Sequence, residues 1–367
     1  FRYKFTLMTT KSRPNFNPFY FFLTLILNGG LLASCSFLPT EGDLMEPSVE
    51  VAAIPAIEEE QPAPAPTIEI EETADIPDTP MAIEALRSRD YPASELIIEQ
   101  TLDPGANYQR YIAYYSSDGF RIYGLLTVPD EAMPANGYPS ILFLHGYIPP
   151  DTYVTTADYV ATQDGLARNG FLTFKPDMRG HGRSEGEATG AHFSETYIVD
   201  SLNAVSSLEI FDWVDAERIG IWGHSNGGLI GLRMITITDK AKAAVLWAGV
   251  AGSYVDMLET YLPRIDFLLR LSPPLIEQHG LPSENPEYWD FVDPFTYLED
   301  ITTPVQLHHG NSDSSVPVEL SISLYNALVG AGKEVELYQY PGMDHNFFGE
   351  AFDQAMRRTV AFFKARL

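Results

Sequence analysis

From residue 91 onward, short apolar runs alternate with longer amphipathic stretches. The runs predict strands over Ser140–Leu144, Phe171–Phe174, Ile219–Trp222, Ala243–Trp247, Val305–His308 and Val335–Tyr340. Between and after them, helical spacing predicts helices over Ala157–Arg168, Glu195–Glu209, Leu229–Ile235, Val318–Val329 and Phe352–Ala365. Ahead of this series, YQRYIAYYSSDGFRIYGLLTVP reads as two strands joined at Ser117-Asp118-Gly119, a hairpin signal. Strand–helix alternation builds a mostly parallel sheet with helices on both faces, here preceded by an antiparallel edge.

One stretch breaks this rhythm. More than fifty residues separate Trp247 from Val305, and they include Tyr254, Met257, Tyr261, Phe267, Leu268, Trp289 and Phe291. A structureless loop of that length is uncommon in a compact domain, so a small helical cap insertion over about 250–300 is predicted, placed to line a pocket.

The first ninety residues have another texture. Arg2, Lys4, Lys11 and Arg13 precede any acid, the apolar run FYFFLTLIL follows, and small residues lead to LLASC. That is the layout of a secretory signal, over 1–34, with an apolar core too short to span a bilayer; Met8 is an alternative start. The tetrapeptide Leu32-Ala33-Ser34-Cys35 resembles the lipobox of bacterial lipoproteins, which implies lipidation of Cys35 and a membrane-anchored, extracytoplasmic location. Residues 35–90 then read as an extended tether: Glu41–Pro80 is dense in acids and prolines and lacks Lys and Arg. The catalytic domain is predicted over 91–367.

Net charge narrows the partners. Lys and Arg total 23 against 50 Asp and Glu, a formal −27, which repels phosphate backbones and argues against nucleic acid. Cys35 is the only cysteine, so no intrachain disulfide and no cysteine metal site can form. Composition leaves the oligomeric state open.

The chemistry centres on RIGIWGHSNGGLIGLR. Ser225 stands in Gly-x-Ser-x-Gly, after a predicted strand and before a predicted helix, the setting of a nucleophile elbow. Serine needs a base, and the base needs a group that fixes its tautomer. Downstream, LHHGNSDSSVP places Asp313 past one predicted strand, and YPGMDHNFFG places His345 past the next. Both therefore fall on loops at the carboxyl edge of the sheet, where residues distant in sequence meet. His308 and His309 precede Asp313, with at least one directed into the sheet; Asp344 is too close in sequence to orient His345; His224 reads as pocket wall. An oxyanion needs two donors, assigned to the backbone N–H of Asn226 and, from ILFLHGYIPP, that of Tyr147.

Taken in order, LHG (144–146), DMRGHGRSEG (177–186), GHSNGG (223–228), HGNSDSSVP (309–317) and DHNFFG (344–349) resemble the α/β-hydrolase catalytic domain of the prolyl oligopeptidase family, including dipeptidyl aminopeptidases and acylaminoacyl peptidases, and its esterase relatives. The resemblance spans about residues 106–367 and implies Ser225 as nucleophile, Asp313 as acid and His345 as base. Two departures stand out. Residues 1–90 offer no counterpart of the β-propeller that such peptidases use to anchor peptides, and HGYIPP replaces the two glycines and proline of many relatives.

RGHGRSEG does not complete a dinucleotide fingerprint, because Glu185 occupies the third glycine position. No His-Glu-x-x-His or calcium-loop pattern occurs, so neither cofactor nor metal is implied. The expectation is a serine peptidase or carboxylesterase acting on a small ester or peptide. The alternative is an idle hydrolase fold serving as a surface binding module.

Overall fold

The computed structural model describes residues 79–189, 194–265 and 272–367. The signal-like segment and Cys35 lie outside the described residues, as do Phe267 and Leu268. Among the described residues, no helix is long and apolar enough to cross a membrane.

Among the described residues nine strands form one sheet: β1 (Ile97–Thr101), β2 (Tyr108–Ser117), β3 (Phe120–Pro129), β4 (Tyr138–Leu144), β5 (Leu172–Pro176), β6 (Val214–His224), β7 (Ala243–Trp247), β8 (Val305–Gly310) and β9 (Val335–Tyr340). Their order is β1-β2-β3-β5-β4-β6-β7-β8-β9. Strands β4 to β9 run parallel, and the first three form the antiparallel edge. The β2–β3 turn is Asp118-Gly119, with φ of 50° and 81° at the two positions and Ser117 paired to Phe120. That is the geometry a two-residue hairpin requires. Strand β1 escaped the sequence reading because its residues are mostly exposed and show no apolar alternation.

The period-two alternation of the strands decides which helices cover which face. Leu142, Leu144, Ile219, Ile221, Ala244 and Leu246 face α3 (Thr196–Glu209), α4 (Asn226–Ile237) and the helix over Val318–Gly330. Ile141, Phe143, Trp222, Val245 and Trp247 face the other way, onto α2 (Val160–Ala167) and the C-terminal helix Gly349–Lys364.

Between β7 and β8 the chain is helical in short pieces, including Asp256–Thr260, Pro273–His279 and Pro286–Val292. Tyr254, Met257 and Trp289 pack there with Val316 and Leu320 into a cluster of their own. The described residues of the insertion thus form short helical pieces.

The tether reading needs correction at its C-terminal end. Residues 79–90 are part of the domain: α1 (Ile83–Ser88) buries Ile83 and Leu86, and Met81 and Ala82 are buried beside it. Arg233, buried in α4, donates to the carbonyls of Met81 and Val292, which ties this segment and the insertion to one helix. The acid- and proline-rich composition ends at Pro80, and the apolar residues after it gain more from burial than ordering costs.

Candidate active site

Strand β4 lies between β5 and β6, so the chain leaves it first to one side and later returns on the other. Such a reversal opens a crevice at the carboxyl ends of the strands. Residues 145–147 leave β4 there, and Ser225 leaves β6 beside them.

Ser225 has φ 55° and ψ −119°, a conformation that side-chain-bearing residues rarely adopt. It persists because the backbone is held on both sides. The Ser225 N–H donates to the Trp247 carbonyl at 3.0 Å, and the Ser225 carbonyl accepts from Gly228 at 2.9 Å and Val250 at 3.0 Å. Two glycines make the turn possible. A Cβ on Gly223 would lie 2.3 Å from the Gly227 carbonyl oxygen, and one on Gly227 would lie 2.1 Å from that of Leu144. Asn226 opens α4, where the first amides have no intrahelical acceptor.

Asp313 follows β8 and His345 follows β9. The Nδ1–H of His345 donates to Asp313 Oδ2 at 2.8 Å. A carboxylate only accepts, so the proton sits on Nδ1 and Nε2 is left as the basic nitrogen. Asp313 Oδ1 accepts from the amides of Ser315 and Val316, each at 2.8 Å. Burial pushes the Asp313 carboxyl up, but hydrogen bonds from His309 and His345 outweigh it and hold the group well below the usual carboxylate range.

His309 is a contribution the sequence reading missed. It is buried, as is His308, and its Nε2 lies 3.0 Å from the Val316 carbonyl and 3.1 Å from Asp313 Oδ2. Its Nδ1 lies 2.6 Å from Ser321 Oγ. Alternation along β8 sends His308 to the opposite face, against Tyr340 and Gln306. Asp344 does not touch the His345 ring; it accepts from the amides of Ser314 and His345 and from the Ser314 hydroxyl.

A pocket of about 440 Å³ opens beside Ser225 and His345. Tyr147, Tyr159, Trp222, Trp247, Phe347 and Phe352 supply aromatic walls, His224 lies between them, and among the described lining residues Asp158 is the one acid and there is no Lys or Arg. None of the described residues of the cap insertion lines this pocket. Tyr254, Met257 and Trp289, expected there from sequence, satisfy their burial against one another instead.

The loop from His145 to Tyr159, which carries Tyr147, is pinned from below. Asp177 accepts from the hydroxyls of Tyr153 at 2.8 Å and Thr155 at 2.6 Å. Lys175 donates to the Thr155 carbonyl at 2.9 Å, and His181 Nε2 to that of Ile148 at 3.0 Å. Burial pushes Asp177 up to about 6 and Lys175 down to about 8. The DMRGHG motif contains Asp177 and His181, but nothing in its spacing reveals the loop they hold. Among the described residues, no group of three or more His, Cys, Asp or Glu is arranged to hold a metal.

Comparison with known proteins agrees with this architecture. The sequence profile of the prolyl oligopeptidase family matches residues 158–367. The chain is 31% identical over 264 residues to the uncharacterized peptidase YtmA of Bacillus subtilis, covering 72% of this chain and 96% of YtmA. It is 27% identical over 241 residues to the uncharacterized peptidase YuxL of the same organism, covering 64% of this chain but 35% of YuxL. Among solved structures, an acetyl xylan esterase from Paenibacillus sp. R4 superposes with a TM-score of 0.59 at 18% identity, over 78% of this chain and 92% of the esterase. An acylaminoacyl peptidase bound to Z-Gly-Gly-Phe-chloromethyl ketone superposes with a TM-score of 0.59 at 22% identity, over 71% of this chain and 42% of that peptidase. At those identities the structural likeness speaks for the fold, which the two proteins share with this one.

Proposed function

Because the chain belongs to the prolyl oligopeptidase family of serine hydrolases, we propose that Ser225, His345 and Asp313 are its catalytic triad and that it cleaves small carboxylic esters or amides through an acyl-enzyme. The observation that carries this is the Asp313–His345 hydrogen bond, which leaves a basic nitrogen on a residue lining the same pocket as Ser225.

In the first half-reaction Ser225 Oγ attacks the carbonyl carbon while His345 Nε2 takes its proton. The tetrahedral oxyanion is held by the backbone N–H groups of Asn226 and Tyr147. His345 then returns the proton to the leaving oxygen or nitrogen as the carbonyl–heteroatom bond breaks. In the second half, water attacks the acyl-serine, His345 accepts its proton and passes it to Ser225 Oγ, and the acid leaves. Asp313 stays ionised throughout and stabilises the imidazolium.

The aromatic pocket, with Asp158 and no Lys or Arg among its described lining residues, favours an uncharged or cationic apolar group over an anionic one. Near-complete coverage of YtmA and of the Paenibacillus esterase supports a compact catalytic domain working on short substrates. We also propose that the sequence ahead of the domain carries it to the cell surface and holds it there through a lipid on Cys35.

A fluorophosphonate probe tests the triad. The unmutated protein labels, and Ser225→Ala abolishes labelling without loss of the fold. An unlabelled wild-type protein, or equal labelling of the variant, would overturn the assignment and favour a binding module. Turnover of p-nitrophenyl acyl esters against aminoacyl and peptidyl anilides then separates esterase from peptidase.

A further inference from the structure

His224 is flanked by the nucleophile in sequence yet makes no use of its ring as a base. Its Nε2 lies 3.1 Å from the backbone carbonyl of His345, and its Nδ1 lies 2.7 Å from the Tyr159 hydroxyl. The same hydroxyl accepts from the Gly146 N–H at 2.9 Å. A carbonyl cannot donate, so Nε2 carries the proton and Nδ1 must accept. The Tyr159 hydroxyl therefore donates to His224, and its oxygen is free to take the Gly146 amide. Each proton in the chain Gly146 N–H, Tyr159 O–H, His224 Nε2–H, His345 C=O has one permitted place.

The three loops so joined are those that bear the proposed oxyanion donor, the nucleophile and the base. Gly146 adjoins Tyr147, His224 adjoins Ser225, and the last acceptor is the backbone of His345 itself. Resting on the triad reading, we infer that Tyr159 and His224 are positioning residues, a neutral strut that sets the base and the oxyanion loop at fixed distances from Ser225.

Three further observations support a built device. Tyr159 has φ 62°, a left-handed conformation unusual for an aromatic residue, immediately ahead of α2. That backbone sends its ring edge-on against Phe143, at 5.8 Å and 71°, and against Trp222, at 6.2 Å and 69°. The rings fix where the hydroxyl stands. At the receiving end, a Cβ on Gly146 would lie 2.4 Å from the Tyr159 oxygen and 3.0 Å from the Ser225 Cβ, so only glycine admits the contact. Burial pushes the His224 imidazole down to about 3, and the neighbouring His345 adds to the effect. The strut therefore keeps one protonation state across the pH range in which an acyl transfer would run.

Tyr159→Phe is the decisive variant, because it keeps the ring and its packing and removes one oxygen. Misplacement on the scale of an ångström costs on the order of 10²-fold in rate. The expected result is a fall in kcat on p-nitrophenyl acetate of roughly 10- to 100-fold, with KM changed less than about twofold and the melting temperature nearly unchanged. His224→Ala should lose a similar factor, and the double variant no more than the worse single one, since both break the same chain. His224→Gln, which keeps an N–H for the His345 carbonyl, should recover most of the loss. Turnover of Tyr159→Phe within about twofold of the unmutated protein overturns the strut, as do multiplicative losses in the double variant.

Imidazole ¹⁵N spectra separate this from the triad assignment. The His224 resonance, identified by its absence in His224→Gln, should report Nε2–H in the unmutated protein and in Ser225→Ala, and should change in Tyr159→Phe. A Nδ1–H tautomer, or no change in Tyr159→Phe, sinks the strut even if Ser225 labels with fluorophosphonate. A failure to label with these spectra as expected sinks the triad and leaves the strut as geometry without catalysis.

Discussion

Asp313 Oδ2 and His345 Nδ1 lie 2.8 Å apart, although 32 positions separate the two residues in the chain. They meet because β8 and β9 are adjacent and parallel, so the loops that follow them emerge at the same sheet edge. The contact fixes one imidazole tautomer, and the proposed chemistry depends on that tautomer.

Asp313→Asn tests the lock. An amide can donate to Nδ1, which moves the ring proton to Nε2 and leaves nothing to take the serine proton. Loss of kcat on the order of 10³–10⁴ is expected, with the fold retained. His309→Gln keeps the His345 tautomer and should cost less than about tenfold. Steady-state kinetics on one ester substrate, with circular dichroism as the control for folding, decides the comparison.

Close approach at the elbow predicts intolerance of a single methyl group. Gly227→Ala places a carbon 2.1 Å from the Leu144 carbonyl oxygen, backbone that cannot swing aside. A loss of about 3 kcal/mol in stability, with activity falling further, is expected. Gly330→Ala meets nothing within 4 Å at the end of its helix and should be neutral or slightly stabilising. Urea melts of the two variants measure the difference.

Acid stability follows from buried groups of opposite sign. Burial pushes His145 and His224 down to about 3, and His308 well below its ordinary value. The unfolded chain binds these protons near pH 6.5 and the native state only far lower, so their contribution is complete above pH 6.5 and is lost as pH falls. Burial pushes Asp177 and Asp293 up to about 6 and raises Asp200 as well. Those carboxyls ionise in the unfolded chain near pH 4 and in the native state higher, so they favour folding on acidification through that window. His181, lowered by burial as well, adds to the histidines; the two sets oppose each other between pH 4 and 6, so stability should change less steeply there than below pH 4. Below about pH 4 the histidines act unopposed, the depressed Asp313 joins them, and stability should drop steeply. His224→Gln removes one histidine from the balance, so its stability relative to the unmutated protein should increase as pH is lowered from 6 to 4. Denaturant melts of both proteins at half-unit pH steps measure the difference, and an identical pH dependence rejects the burial argument.

Anchoring is tested by Cys35→Ser expressed with the full leader. If a lipid on Cys35 holds the protein, the variant moves from the membrane to the soluble fraction and loses incorporation of a clickable fatty acid. Unchanged partitioning rejects the lipid.

Strand–helix alternation and the elbow pentapeptide could be read from residues alone, because both are local. Period-two and helical spacing reflect burial of one face of each element, and Gly223 and Gly227 flank Ser225 wherever the turn is that tight. The placement of Ser225, Asp313 and His345 just past three strands was legible for the same reason, since the apolar run of each strand is visible. What tertiary structure decided is which polar groups those loops hold against one another. Tyr159 carries no signal because its role comes from a left-handed backbone and from two rings contributed by β4 and β6. Sequence sets aside both His308 and His309 as bases, and only the alternation along β8, which turns one to each face, brings His309 to Asp313. Residues 79–90 resembled the acidic segment before them until Met81, Ile83 and Leu86 found a surface to cover. Apolar periodicity survives in one dimension; a hydrogen bond between loops exists only where the sheet has brought their ends together.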